Sequence, residues 1–217
     1  MGKSVLAQWL VREEPRLVGF DPFLEHDALS VQFSDLALYL DEREAGKQLD
    51  AFRVVTPDEE PEEFPRLCWE LSDLVPQGIM VAVEEADLIA PPQSVSPYAR
   101  KLAAQGRHRG ISMLTTSRRP AEVARLLTSQ AGTFYVFRIQ EPGDLTYLRS
   151  VLGDEATVCK ELPPYHALHW TPLGSRVVTL KGDTLQTVSN WRHSAEPSQI
   201  GDEEILDTPS PIRDTPS

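Results

Sequence analysis

Only two cysteines, Cys68 and Cys159, occur in the 217 residues, and neither belongs to a CxxC pair. That excludes a disulfide scaffold and a zinc knuckle. Cys159 with His166 and His169 follows no common zinc spacing, so packing and surface roles are expected for them. No stretch approaches the ~18 to 20 apolar residues of a membrane-spanning helix. The first residues do not read as a signal peptide, because one lysine precedes an apolar run that breaks at Gln8 and Arg12. A reducing, cytoplasmic setting is the expectation. Positive charge is scarce: the chain carries a net charge of −12, which by itself argues against a nucleic-acid binder. Acid is missing in turn from one place. Between Tyr98 and Pro120 there is no Asp or Glu, while Arg100, Lys101, Arg107, Arg109, Arg118 and Arg119 crowd together. Screening limits each charge to a reach of about 8 to 10 Å, so this local excess decides phosphate contacts.

What is present reads as an ordinary soluble chain of one domain or one and a half, at 41% hydrophobic and 25% charged. A chain of this length buries roughly 70% of its unfolded surface, enough for a sizeable core. Helix and strand alternate. Residues 4–12 form a helix with Val5, Leu6, Trp9 and Leu10 on one face. RLVGFDP, AFRVVTP, GIMVAVEEAD, ISMLTTS and GTFYVFRIQ are strands. Between them lie a weakly helical 34–50, LCWELSDLV, a helix near 97–105 and PAEVARLLTSQ; PGDLTYLRSVLG follows, stopped by Gly153. Near-continuous apolar strands separated by helices imply an α/β fold with a mostly parallel central sheet, helices on both faces and ligands beyond the carboxyl ends of the strands. After residue 162 the pattern alternates and carries glycine turns. Residues 163–192 are therefore expected to form a small C-terminal β extension. Residues 193–217, with DTPS twice, are expected to be a disordered acidic tail.

Two stretches carry chemistry. Gly2-Lys3-Ser4 followed by an apolar helix is how a phosphate-binding loop ends. In GIMVAVEEAD, five apolar residues run straight into Glu84 and Glu85. Adjacent carboxylates at the end of a buried strand are costly unless a cation or proton shares the site. The bland alternative is a strand that leaves the core and starts a loop. The two signals stand eighty residues apart, Ser4 to Glu84, in the order a compact P-loop ATPase requires. In that reading Lys3 reaches the β- and γ-phosphates of ATP. Ser4 and Glu84 serve Mg²⁺, and Glu85 activates the attacking water. The backbone N–H groups of Gly2, Lys3, Ser4 and Val5 hold phosphate oxygens at a helix N-terminus.

HRGISMLTTSRRPAEV, then QAGTFYVFRIQEPGDLTYLRSVLG, resembles the HerA/FtsK branch of P-loop ATPases over roughly residues 2 to 153. The shared order is a basic turn, an apolar strand, a polar residue before Arg-Pro, a helix, and a strand leading to P-x-D; VGFDP with Asp21 matches that branch's second strand. The resemblance implies a RecA-like (ASCE) core over 1–162 and a ring oligomer that moves double-stranded DNA. Small size points within the branch to viral genome packaging, in the host cytoplasm or with the virion, beside capsid or membrane proteins. It further implies that Ser117 or Thr116, with Arg118, senses the γ-phosphate, and that Arg107 or Arg109 enters a neighbouring subunit's site as an arginine finger.

The chain departs from the branch's pattern in three places. Glu84 stands where Asp is usual, Arg118 where many relatives have Gln, and the first strand with the front half of the phosphate loop does not precede Gly2. That strand is central in the fold, so a gap in the middle of the sheet is expected. Met1 as an internal methionine of a longer reading frame is one account, and a truncated inactive paralogue is another. A cellular HerA-type DNA-processing ATPase and a non-catalytic scaffold are the rival functions. A filamentous-phage extrusion ATPase would normally bring a transmembrane segment.

Overall fold

The computed structural model describes residues 2–23, 52–56 and 62–188. The expected helix over 34–50 and the tail over 193–217 lie outside the described residues. Helix α1 spans Lys3–Val11 and strand β1 spans Arg16–Phe20. Arg53 donates to the carbonyls of Val11 and Glu14 at 3.0 and 2.5 Å, satisfying groups that the end of α1 leaves without helical partners. The apolar run LVGF is buried throughout, so β1 sits inside the sheet. It pairs in parallel with β2 (Phe52–Thr56) on one side and β3 (Ile79–Val83) on the other, with Val18 opposite Val54 and Val81. Strand β4 (Ile111–Thr115) pairs in parallel with β3, giving the order β2-β1-β3-β4.

Helix α2 (Glu63–Leu74) covers this sheet. Phe64, Leu67, Cys68 and Leu71 recur at helical spacing and are buried, and the Phe64 ring lies 5.4 Å from that of Phe20. The short α3 (Ala86–Ile89) follows β3. Helix α4 (Pro97–Gln105) starts at Ser96, whose hydroxyl accepts from the Ala99 N–H at 3.2 Å. A 3₁₀ turn, Gly106–Arg109, then feeds β4. Gly78 and Gly110 precede β3 and β4 with φ of 87° and 70°. A Cβ on Gly78 would fall 2.6 Å from the Gly110 carbonyl oxygen, so the two strands start side by side only with glycine there.

PAEVARLLTSQ is not one helix, as its pattern predicts. It is a 3₁₀ turn at Pro120–Glu122, a break, and α5 at Arg125–Gln130. The break has a tertiary cause: Val123 and Ala124 are buried, and the Ala124 N–H donates to the Ala90 carbonyl at 2.8 Å. Likewise GTFYVFRIQ shortens to β5, Phe134–Val136, and its pairing is antiparallel. It joins β6 (His166–Thr171), β7 (Gly174–Lys181) and β8 (Thr184–Thr187) in a second sheet of order β5-β6-β7-β8. Helix α6 (Pro142–Leu152) and a 3₁₀ segment, Gly153–Lys160, cover it. Val136, Leu148, Leu152, Cys159, Leu168 and Val177 form its core, which joins residues on both sides of the 162/163 boundary drawn from the sequence pattern.

Strands β4 and β5 are the facing ends of the two sheets. Both line one cleft of about 430 Å³, with Leu6 and Leu10 of α1 and Leu127 of α5 on its walls. α1 spans it from below: the Trp9 indole N–H donates to the Asp183 carbonyl in the β7–β8 turn at 3.1 Å.

Candidate active site

The site is assembled beyond the carboxyl ends of β1, β3 and β4. Register brings it about, since Phe20 pairs with Val83 and Val83 with Thr115. The next residue of each strand, Asp21, Glu84 and Thr116, therefore arrives at one edge. The Glu84 N–H donates to the Phe20 carbonyl at 2.9 Å and the Thr116 N–H to the Val83 carbonyl at 2.8 Å, so the ladder continues through the acids. The Thr116 hydroxyl donates to the Glu84 carboxylate. Asp21, Glu84 and Thr116 share one small cavity with Ala7 and Gln8 of α1.

Glu85 turns out of the strand in a left-handed conformation, φ 51° and ψ 64°. For a residue with a Cβ this is unfavourable by about 1 kcal/mol or more, and it persists only where the surroundings enforce it. Its Oε1 receives the Lys3 ammonium at 3.2 Å and the Arg118 Nε at 2.8 Å. Lys3 belongs to the first turn of α1; Arg118 follows β4 and lies over the Phe23 ring, 5.4 Å from its centroid. Three elements distant in sequence thus meet on one carboxylate oxygen. Gly2 caps α1 with φ 112°, and a Cβ there would sit 2.8 Å from the Phe137 ring, so this backbone corner admits no side chain. Ser4 is half-buried in the same helical turn, and Val5 is 57% exposed.

Asp21, Glu84 and Glu85 are all buried, at 2%, 8% and 8% exposure. Burying an ion costs several kcal/mol before pairing, so carboxylates this deep need partners, and Glu85 has two in Lys3 and Arg118. Oxygen donors of this kind suit Mg²⁺, which takes one or two carboxylates and completes its shell with water and phosphate oxygens. Among the described residues no group of three His, Cys, Asp or Glu is placed to hold a metal ion.

The remaining candidates divide. Ser117 lies beside this cluster but bonds elsewhere, with its hydroxyl 3.4 Å from Asp87 and accepting the Arg119 N–H at 3.0 Å. Of the two polar residues ending β4, Thr116 is the one on the acid pair. Arg119 is drawn away to Asp144, Nε to Oδ2 at 2.7 Å. Hydrogen bonding and charge from Asp144 hold the Arg119 guanidinium above its ordinary pKa. Asp144, 2% exposed, also accepts the Ala121 N–H at 3.1 Å, which ties the RRP and PGD stretches together. Arg107 and Arg109 lie at the opposite edge, before β4 begins, a five-residue strand or about 16 Å from Thr116. Arg109 is held within the chain by Asp73 and by the Trp69 ring at 4.1 Å. Arg107 is exposed and makes no ion pair among the described residues. His169 stacks on Tyr135 with ring centroids 4.6 Å apart, and Cys159 is fully buried, its thiol pushed up to about 12 by desolvation.

Two residues here carry more than the sequence pattern assigned to them. Asp21 is marked in the sequence by the VGFDP resemblance, and the fold adds its burial beside Glu84. Asp144 is the acid of the P-x-D stretch; its role as the anchor of Arg119 depends on a fold contact.

No protein-family model and no curated protein matches the chain. Solved structures do match. The genome packaging NTPase B204 of Sulfolobus turreted icosahedral virus 2, in complex with sulfate, superposes with a TM-score of 0.67 at 20% identity, over 81% of this chain and 89% of that one. The same NTPase with ATP-gammaS gives 0.66 at 19% identity, over 86% and 90%. B204 of Sulfolobus turreted icosahedral virus, described as a DNA-packaging ATPase, gives 0.64 at 17% identity, over 88% and 90%. Likeness at this level of identity shows the fold alone: this chain shares the α/β architecture of those structures, with its buried acids at the carboxyl edge of the parallel sheet.

Proposed function

We propose that the chain hydrolyses ATP and, as a ring of identical subunits, couples hydrolysis to the movement of double-stranded DNA during the packaging of a viral genome. One observation carries the reading: Lys3, Glu85 and Arg118 converge at the end of a buried strand, next to Glu84 and its Thr116 partner. Phosphoryl transfer asks a protein for little more than fixed positive charge on the phosphates and a carboxylate that orients water. Both are here, on elements that share a fold with packaging NTPases solved with ATP analogues.

In the structure both cations rest on one Glu85 oxygen. A triphosphate on the N-terminus of α1 competes for them. Lys3 moves to the β- and γ-phosphates, Arg118 follows the γ-phosphate, and Glu85 is released to take a proton from water. Ser4 and Glu84 would hold Mg²⁺, which neutralises phosphate charge when bound. The N–H groups of Gly2 to Val5 cradle phosphate oxygens. Arg107, exposed and unpaired at the far edge, is the better placed of the two finger candidates to reach a neighbouring subunit, and Arg100 and Lys101 add phosphate-binding charge on α4. Capsid or membrane proteins at a virion vertex are the expected further partners, in the host cytoplasm or with the virion. No helix among the described residues is long and apolar enough to cross a membrane.

The second reading is a non-catalytic scaffold, favoured by the closed Lys3–Glu85–Arg118 cluster. The test is DNA-stimulated ATP hydrolysis by this chain and by a version extended with the in-frame codons upstream of Met1. Glu85→Gln is expected to lower the rate by about 10² to 10⁴-fold with nucleotide binding retained. Absence of nucleotide binding in both forms overturns the motor and leaves the scaffold.

A further inference from the structure

A second cleft, of about 220 Å³, lies between α1 and the second sheet. Gly2, Val5 and Leu6 form one side; Phe137, Tyr165 and Leu180 contribute to the other. Its lining is mainly apolar, and it is open: Val5 is 57% exposed and Tyr165 55%. Single exposed apolar residues need no explanation, but a contiguous set around a cleft marks a ligand surface.

Tyr165 is also conformationally constrained. Its φ is 64°, and among the described residues only Glu85 shares a positive φ without being glycine. Such a conformation persists where the surroundings over-determine it, and it clusters at ligand sites. Here Thr179, buried on β7, donates its hydroxyl to the Tyr165 carbonyl at 3.2 Å. The backbone that carries the ring is therefore fixed to the sheet. The cleft begins at Gly2, the residue that caps α1. An apolar slot with an aromatic wall thus opens directly beside the corner assigned to phosphates.

We infer that this cleft receives the base of the bound nucleotide, stacked on Tyr165 and packed against Val5 and Leu180. The inference rests on the nucleotide reading above and adds to it where the base lies and how it is chosen. The Thr179 proton is donated to the Tyr165 carbonyl, and apart from the Tyr165 hydroxyl the ring and aliphatic walls carry no further side-chain donor, so the wall recognises a π-face and a shape more than the hydrogen-bonding edge of one base. Discrimination between ATP and GTP should accordingly be slight, within about fivefold, because stacking tolerates any base.

Calorimetric titration of the full chain with ATP, GTP and inorganic tripolyphosphate tests this. Tyr165→Ala and, from β8, Leu185→Glu should each weaken ATP and GTP by about tenfold and leave tripolyphosphate unchanged, while Tyr165→Phe should bind as the parent does. Unchanged tripolyphosphate binding also shows that the variants are folded. ATP binding unaltered by both substitutions, or ATP no tighter than tripolyphosphate in the parent, overturns the base cleft and leaves the phosphate site standing. Failure of the parent to bind either ATP or tripolyphosphate overturns the nucleotide reading itself.

Discussion

The two ends of the parallel sheet are built on opposite terms. At the amino end, polar groups are satisfied inside the chain. Arg16 donates to the carbonyls of Gly78 and Gln77 at 2.7 and 3.1 Å, Ile79 N–H donates to Gly110 at 3.1 Å, and Arg109 is clamped by Asp73 and Trp69. At the carboxyl end three carboxylates are buried, and one of them, Glu85, draws two cations and holds a left-handed backbone. One end stores stability and the other gives it up. Sites that act on charged substrates commonly carry such local cost, and relieving it raises stability while removing function.

The sharpest way to break this contrast is to remove a charge at the carboxyl end. Glu84→Gln should lower ATP hydrolysis by about 10²-fold or more while leaving the thermal midpoint unchanged or higher, because a buried carboxylate disappears and the amide can still accept from Thr116. Parallel loss of midpoint and activity would mean that Glu84 serves the fold. The next effect lies at the other end. Gly78→Val forces a Cβ into the Gly110 carbonyl at φ 87°, and should cost about 2 to 3 kcal/mol in denaturant unfolding. Turnover per folded molecule should stay as it was. A fall in turnover without a fall in stability would show that the two ends are coupled.

Legibility follows the same division. Strands β1, β3 and β4 could be read because each is an uninterrupted apolar run, and a strand buried on both faces needs nothing else. Glu84 and Glu85 could be named because charge at the end of such a run is costly and has few uses, Lys3 because Gly-Lys-Ser before an apolar helix is how a phosphate loop ends, and Arg118 from the resemblance. What could not be read depends on partners. Asp21 gains its place from the Phe20–Val83 register. Val123 and Ala124 break a helix that their own sequence favours, because Ala90 and the core take them. β5 looks like one more parallel strand, yet its partner is β6 and the pairing is antiparallel. Arg109 and Arg107 are alike in sequence, and only Trp69 and Asp73 tell them apart.

The smallest expected effect concerns the second sheet, remote from the acids. Burial, with Arg176 nearby, lowers the pKa of His169 below its ordinary value. The unfolded chain then binds a proton that the folded chain refuses. Stability is full above the unfolded value of about 6.5 and declines as pH falls through it towards the lowered folded pKa. Urea unfolding at pH 7.5 and 5.5 should show this decline, and His169→Gln should flatten its share of it. An unchanged slope in the variant would assign the decline to other groups.

Helix α1 is the one element with a foot in each sheet's territory. Its first turn holds Lys3 against Glu85, and near its last turn Trp9 and Arg12 reach the Asp183 corner of the β7–β8 hairpin. Nine residues at 1.5 Å each make a rod of about 13 Å that is stiff along its axis. Any shift of the helix along its axis, as opposed to a rotation of the Lys3 side chain alone, would carry the hairpin with it. Across an open seam the helix acts as a tie-bar, so the hairpin corner is where a change at the acids would first be felt on the molecule's outer surface.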